Sequence, residues 1–207
     1  MITTLEKAEM NIPNQVIPKH LIRDEIDGQF YYYKGYKAVL NQTKTAEEIM
    51  GASGLQSFII DLVMAYLYIE VGRKKYRYLS NEVGGHLRKH VNLSYDIAIF
   101  DKSILTIDKI DEHYVKVPPK VVIEVDIKIE SDNTTDFDYI NQKTEKLLNF
   151  GTEKVIWILS KSKKIMVAMP NENWQVMDWN KDFELIDGHI INLQKMFEEE
   201  GFIDVEE

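Results

Sequence analysis

Between Val121 and Glu130 the chain alternates without a break. One set of alternate residues, Val121, Ile123, Val125, Ile127 and Ile129, is purely aliphatic. The other set is Val122, Glu124, Asp126, Lys128 and Glu130. A period of two predicts a β-strand with one face in a core. Val122 opens the charged face, which argues against that face lying open to water along its length. Pro118-Pro119 sets the strand's start at about Lys120.

The same logic runs along the chain. LIRDEIDGQFYYYKGY predicts a strand pair around the turn Asp27-Gly28. Its aromatics, Phe30, Tyr31, Tyr32, Tyr33 and Tyr36, favour strand. Leu55, Phe58, Ile59, Leu62, Val63, Tyr66 and Leu67 recur at helical spacing and predict the main helix, ended by Gly72. Thr45 and Glu48 make a capping-box signature at its start. Gly51 and Gly54 allow a later start near Ala52.

KKYRYLSNEV and SYDIAIFD read as strands, followed by the polar stretch KSILTIDKIDEHY. SDNTTDFD reads as a loop, with Asp136 or Asp138 capping a helix over YINQKTEKLLNF that Gly151 stops. KVIWILS, KIMVAM, WQVMDW and FELI are four short strands, and Asp187-Gly188 turns the chain toward a last helix, LQKMFEEEG. Helix, three strands, helix and strand in that order predict an α/β (α+β) domain: a mixed sheet flanked by helices, with extra antiparallel hairpins. We read residues 1–207 as one domain, with an N-terminal hairpin extension over 1–40 and an acidic tail over 198–207.

Composition narrows the function. Cysteine is absent, which excludes disulfides, thiol catalysis and cysteine-ligated zinc. No uninterrupted apolar run of about 18 residues stands out, and MITTLEKAEM lacks a signal-peptide pattern. The expectation is a soluble cytoplasmic protein with no membrane partner. Twenty-five basic against 34 acidic residues give a net charge of −9. The tail EEEGFIDVEE holds six of those acids, which leaves 25 against 28 in the body, or −3. The charge lowers the odds of a polyanion partner such as DNA without excluding one.

The charged face of the 121–130 strand is where chemistry enters. Glu124, Asp126 and Lys128 project the same way at intervals of about 6.6 Å. Burying carboxylates requires cations, which a divalent metal plus Lys128 would supply. Oxygen donors suit magnesium. In SYDIAIFD, Asp96 shares a face with Ala98 and Phe100, and stands beside Glu124 if the two strands pair.

An Asp on one strand, then an acid and a Lys on the next, resembles the PD-(D/E)XK superfamily of the restriction-endonuclease-like fold. EIDG, a helix around 46–71, YDIAIFD, PPKVVIEVD, NQKTEKLLNFG and EKVIWIL follow the order seen in the Uma-type restriction endonuclease family, over roughly residues 22–168. Two departures stand out: Tyr95 replaces the family's proline, and Glu124 is followed two residues later by Asp126 rather than Lys. Lys143, eight residues before Gly151, matches a second family position for the lysine and competes with Lys128.

The resemblance implies Mg²⁺- or Mn²⁺-dependent hydrolysis of DNA. Asp96 and Glu124, with Asp126 and the Val125 carbonyl, would hold the metal, and the lysine would orient the attacking water. Gln56, then Glu48 and Glu47, are the helix residues that would join them. One site per chain favours a homodimer for cutting a duplex.

Plainer readings stand beside these. Lys143 on a helix is ordinarily solvated surface. His86 and His90 lack a third zinc ligand, and Gly84-Gly85 argues for a turn. RKKYR (73–77) and HLRKH (86–90) are solvated surface or phosphate contacts, and the tyrosines of FYYYKGY are core before they are base-stacking platforms. The rival functions are a catalytically weak or inactive nucleic-acid-binding or regulatory protein on the same fold, and a Mg²⁺-dependent phosphoesterase for a small substrate.

Overall fold

Asp27 and Gly28 both take positive φ, 52° and 84°, and make the predicted tight turn. They join strand β1 (Ile22–Ile26) to β2 (Gln29–Tyr33) in this computed structural model, which describes residues 16–131 and 134–202. The first 15 residues and residues 203–207 of the acidic tail lie outside the described residues. The hairpin expected as an extension is built into the main sheet, because β1 is hydrogen-bonded to β4 (Val91–Asp101).

Helix α1 (Tyr36–Leu40) follows, and then the predicted long helix is split at its glycines. Thr45 and Glu48 do pair reciprocally, but they open only the short helix α2 (Glu47–Met50). The main helix α3 (Gly54–Tyr66) begins afresh where the Ser53 hydroxyl accepts from the Gln56 amide at 3.2 Å. It widens into a π-helical turn at Leu67–Val71 and ends at Gly72, with φ 73°. The run Gly54–Val71 is long and apolar enough to cross a membrane by length and composition, which corrects the expectation that none is. Here it packs as a core helix, with Ile59, Val63 and Leu67 fully buried.

β3 (Tyr76–Arg88) and β4 pair as a long antiparallel ribbon. β5 (Val121–Val125) and β6 (Ile129–Glu130) replace the single strand predicted over 121–130. α4 (Asp136–Phe150) is capped by Thr135, whose hydroxyl accepts from the Asp138 amide while the Asp138 carboxylate accepts from the Thr135 amide. Then come β7 (Lys154–Leu159), β8 (Lys164–Ala168), β9 (Gln175–Asp178), β10 (Phe183–Ile186), β11 (His189–Ile191) and α5 (Leu193–Glu199). Asp187-Gly188 closes the β10–β11 hairpin, and the last helix follows that hairpin instead of the turn.

The main sheet runs β6-β2-β1-β4-β5-β7-β8-β9, with β3 beside β4. Among the described strands only β5 and β7 pair in parallel, and α4 makes their crossover. One core lies between the sheet and α3 with α5, around Ile97, Ile99, Ile123 and Ile156. The other lies under α4, around Ala98, Val122, Val155 and Trp157.

The sheet must also curl. Four Cα–Cα steps carry the chain from Val125 on β5 to Ile129 on β6, at most about 14 Å of extended chain. Those strands are four places apart in the sheet, about 19 Å if it were flat. Curling closes the gap and wraps the strand ends around one pocket of side chains. Register shifts in β1 at Arg23 and in β3 at Asn81 and Glu82 mark bulges, which sharpen strand twist.

Gly84 and Gly85 do not turn the chain; they lie inside β3. Their missing side chains make room for the rings of Tyr114 and Tyr95. A Cβ at Gly85 would fall on the Tyr95 hydroxyl, which is fixed in the core. Gly85→Ala should therefore destabilise the protein by about 1–3 kcal/mol, read as a lower denaturant midpoint at unchanged m-value. An unchanged midpoint would show that Tyr95 can move aside.

Candidate active site

β4 and β5 pair antiparallel with Ile97 opposite Ile123 and Ala98 opposite Val122. One step further along that register sets Asp96 beside Glu124, on the face that Ala98 and Val122 share. Both carboxylates are buried, Asp96 at 1% and Glu124 at 0% exposure. Four donors surround Asp96. The Val125 amide (2.8 Å) and Gln56 Nε2 (3.4 Å) reach its Oδ2. Lys128 Nζ (2.9 Å) and Arg23 Nη2 (3.3 Å) reach its Oδ1. Gln56 also donates to the Val125 carbonyl at 2.8 Å. Gln56 can do this because it stands in the first turn of α3, at the end that faces β5. Glu47 and Glu48 stay on the exposed α2 and join nothing here.

Asp126 departs from the predicted face. β5 ends at Val125, and Asp126 takes φ 61°. That turns its carboxylate to the Ser160 amide and hydroxyl, both at 2.7 Å. The strand period fails because β5 and β6 are separate strands joined by a bend. Lys128 still arrives at Asp96, carried there by the bend and not by alternation.

Lys143, the other candidate for the catalytic lysine, is fully buried, which sets aside the plainer reading of it as solvated helix surface. Its ammonium lies 2.9 Å from Glu124 Oε1 and 3.2 Å from Asp24 Oδ2, and donates to the Ser94 carbonyl at 2.6 Å. α4 turns this face onto the sheet because Tyr139, Ile140 and Leu147 bury beside it. The two lysines therefore divide the site: Lys143 is sealed beneath Glu124, whereas the Lys128 side chain is 15% exposed at the mouth.

Three further charged residues complete the cluster. Arg23 Nη2 stands 3.6 Å from Glu124 Oε2 as well as 3.3 Å from Asp96. Asp24 accepts from the Ser94 amide at 2.7 Å and from the Tyr139 hydroxyl. Glu82 accepts from the Tyr33 hydroxyl at 2.7 Å and lies 3.6 Å from Lys128 Nζ. The register shift in β1 turns successive residues Arg23 and Asp24 both inward. Asn81 and Glu82 take φ 74° and 55° in the β3 bulge, a backbone region that L-residues rarely occupy. The readable signal was RDE inside a five-residue strand, since two faces cannot both expose three consecutive charges.

Burial pushes Glu124 up from an ordinary 4.5 to about 7; Lys143 and Arg23 pull it down, and Asp96 and Asp24 push it up. Burial works against the charge of Arg23, but Tyr139, Glu124, Asp24 and Asp96 together hold its pKa above the ordinary value. Burial also raises the Tyr95 hydroxyl, with the charges of Asp24 and Glu124 adding to it. Among the described residues, Arg23 Nε, Glu82 Oε1, Tyr95 Oη and both Glu124 oxygens are buried without a hydrogen bond. Only Thr152 Oγ1 shares that condition, so unmet polar capacity concentrates at this site.

No family model matches the chain, and no curated protein matches it. Solved structures do. One is described as a putative nuclease belonging to DUF820 from Anabaena variabilis ATCC 29413, with a TM-score of 0.58 and 13% identity over 84% of this chain and 89% of that one. The chain shares that fold. The likeness agrees with the expected mixed sheet flanked by helices.

The remaining sequence candidates lie elsewhere. His86 Nδ1 meets Asn92 Oδ1 at 2.6 Å, and His90 Nδ1 meets Glu25 at 3.0 Å. Among the described residues, no three His, Asp or Glu side chains gather as a metal cluster. Arg88 of the second basic run pairs with Asp27 at 2.6 Å on the surface.

Lys143→Met strips Glu124 and Asp24 of their shared cation and should cost about 3–5 kcal/mol by chemical denaturation. Lys128→Met, at the wet mouth, should cost less than half of that; equal losses would contradict the division between the lysines. In metal-free buffer, the folded protein holds a proton on Glu124 that the unfolded chain has released between pH 4.5 and about 7. The Glu124 contribution to stability therefore falls as pH rises through that window, by up to about 3 kcal/mol. Glu124→Gln should flatten the decline; parallel stability–pH curves for the two proteins would show that Glu124 stays ionised throughout.

Proposed function

We propose that this protein is a divalent-metal-dependent phosphodiesterase that cuts DNA. The observation that carries the reading is the convergence of Asp96, Glu124 and the Val125 carbonyl with Gln56 and Lys128 at one end of the sheet. The donor set fits Mg²⁺ or Mn²⁺. It is all oxygen, and neither Glu124 oxygen accepts a hydrogen bond, although Lys143 stands 2.9 Å from Oε1 and Arg23 3.6 Å from Oε2. Two carboxylates and a carbonyl are few ligands, which suits a cation that retains several waters. Asp126 is not among them, since Ser160 holds it.

A metal held there would polarise a phosphate and acidify a bound water. The protein's own groups do the rest. Gln56 fixes the Val125 carbonyl, and the Val125 amide fixes Asp96. Lys143 locks Glu124 from below. Lys128, the exposed lysine, is the one placed to orient water and meet the charge that develops on phosphate oxygens. Cutting both strands of a duplex with one site per chain asks for two copies.

Arg23, set between the two carboxylates, favours a second reading: a nucleic-acid-binding or regulatory protein that does not cut. A plasmid-cleavage assay with Mg²⁺ or Mn²⁺ separates the two. The wild-type chain should cut, and Asp96→Asn should lower the rate by about two orders of magnitude or more while circular dichroism stays unchanged. Cutting that survives the substitution would end the site assignment. DNA binding without cutting, equal in both proteins, would favour the second reading.

A further inference from the structure

Arg23 is the one buried cation of the cluster that the proposed chemistry does not use. A single nitrogen, Nη2, lies 3.3 Å from Asp96 and 3.6 Å from Glu124. That is the place a cation shared by the two carboxylates has to occupy. We propose that Arg23 is a displaceable counter-ion: a divalent metal binds by driving the guanidinium out from between Asp96 and Glu124 toward Glu82. The inference rests on the metal-dependent reading above.

Three observations support an exchange over a fixed structural pair. First, the arginine is loosely held on its far side, since its Nε makes no hydrogen bond and lies 4.0 Å from Glu82 Oε1. Second, that Glu82 oxygen also accepts no hydrogen bond, and the other cation near it, Lys128, stands 3.6 Å away, so it can take a closer guanidinium. Glu82 is kept in place by Tyr33 and by a bulge whose backbone is strained, which holds a further acid beside the pair that Arg23 bridges. Third, each sealed charge keeps a partner in both states. With a dication between Asp96 and Glu124, Arg23 would be repelled at close range, and Glu82 is the next acid within its reach. Lys143 keeps Asp24 at 3.2 Å, and Lys128, at the partly exposed mouth, is the cation left to water.

Titration of the full chain with MnCl₂ by calorimetry tests this. Arg23→Gln removes the competing charge and should bind Mn²⁺ at least about tenfold more tightly than wild type. Arg23→Lys keeps the charge and should stay within a few-fold of wild type. Unchanged or weaker binding by Arg23→Gln overturns the inference and leaves the metal reading standing, as does equal tightening by Arg23→Lys. No Mn²⁺ binding by any of the three proteins overturns both. If Arg23→Gln does not fold, wild-type crystals grown with Mn²⁺ decide: the ion should lie between Asp96 and Glu124 with the guanidinium displaced toward Glu82. An ion bound there with Arg23 unmoved overturns the proposal.

Discussion

The structure depends on compensating carboxylates that its own topology buries. Placing Asp96 and Glu124 on adjacent central strands removes both from water, and Asp24 joins them from β1. Uncompensated, each would cost several kcal/mol. The fold supplies three cations from three directions: Arg23 from β1, Lys128 from the bend after β5, and Lys143 from α4. The curl of the sheet, the bulges and the facing of α4 are the geometric means of bringing them together.

That compensation accounts for the irregular backbone found at the site. Asn81, Glu82 and Asp126 all have positive φ although none is glycine, and all three border the cluster or leave it. A regular strand delivers side chains at a fixed period to a fixed face. A site that needs Arg23 and Asp24 on one face, and Glu124 but not Asp126, can be made only by breaking that period. Strain here is the local cost of aiming charges.

The division of the lysines has the same origin. Lys143 is held by two carboxylates, a carbonyl and aromatic neighbours, so its place is architectural. Lys128 holds the same acid cluster from the solvent side, where a substrate could meet it. Arg23 sits between these extremes, buried like Lys143 but incompletely bonded like a group that can move.

By itself the sequence determined the elements and the pair at their centre. The Asp27-Gly28 turn, the main helix up to Gly72, and the strands bearing Asp96 and Glu124 follow from local period and turn chemistry, which need no distant partner. Gln56 was legible too, because its helix and the family order place it there. Tertiary structure alone decided the rest. The 121–130 alternation was real in sequence, yet β5 stops at Val125 because the next residues cross to pair with β2. Lys143 stayed open between site lysine and solvated surface, because nothing local to a helix says which face a sheet will cover. Arg23, Asp24 and Glu82 were missed because a register shift between strands, invisible to the period of either strand, turned them inward. Charges are placed by local rules, but whether they are buried, and with whom, is settled by contacts between segments far apart in the chain.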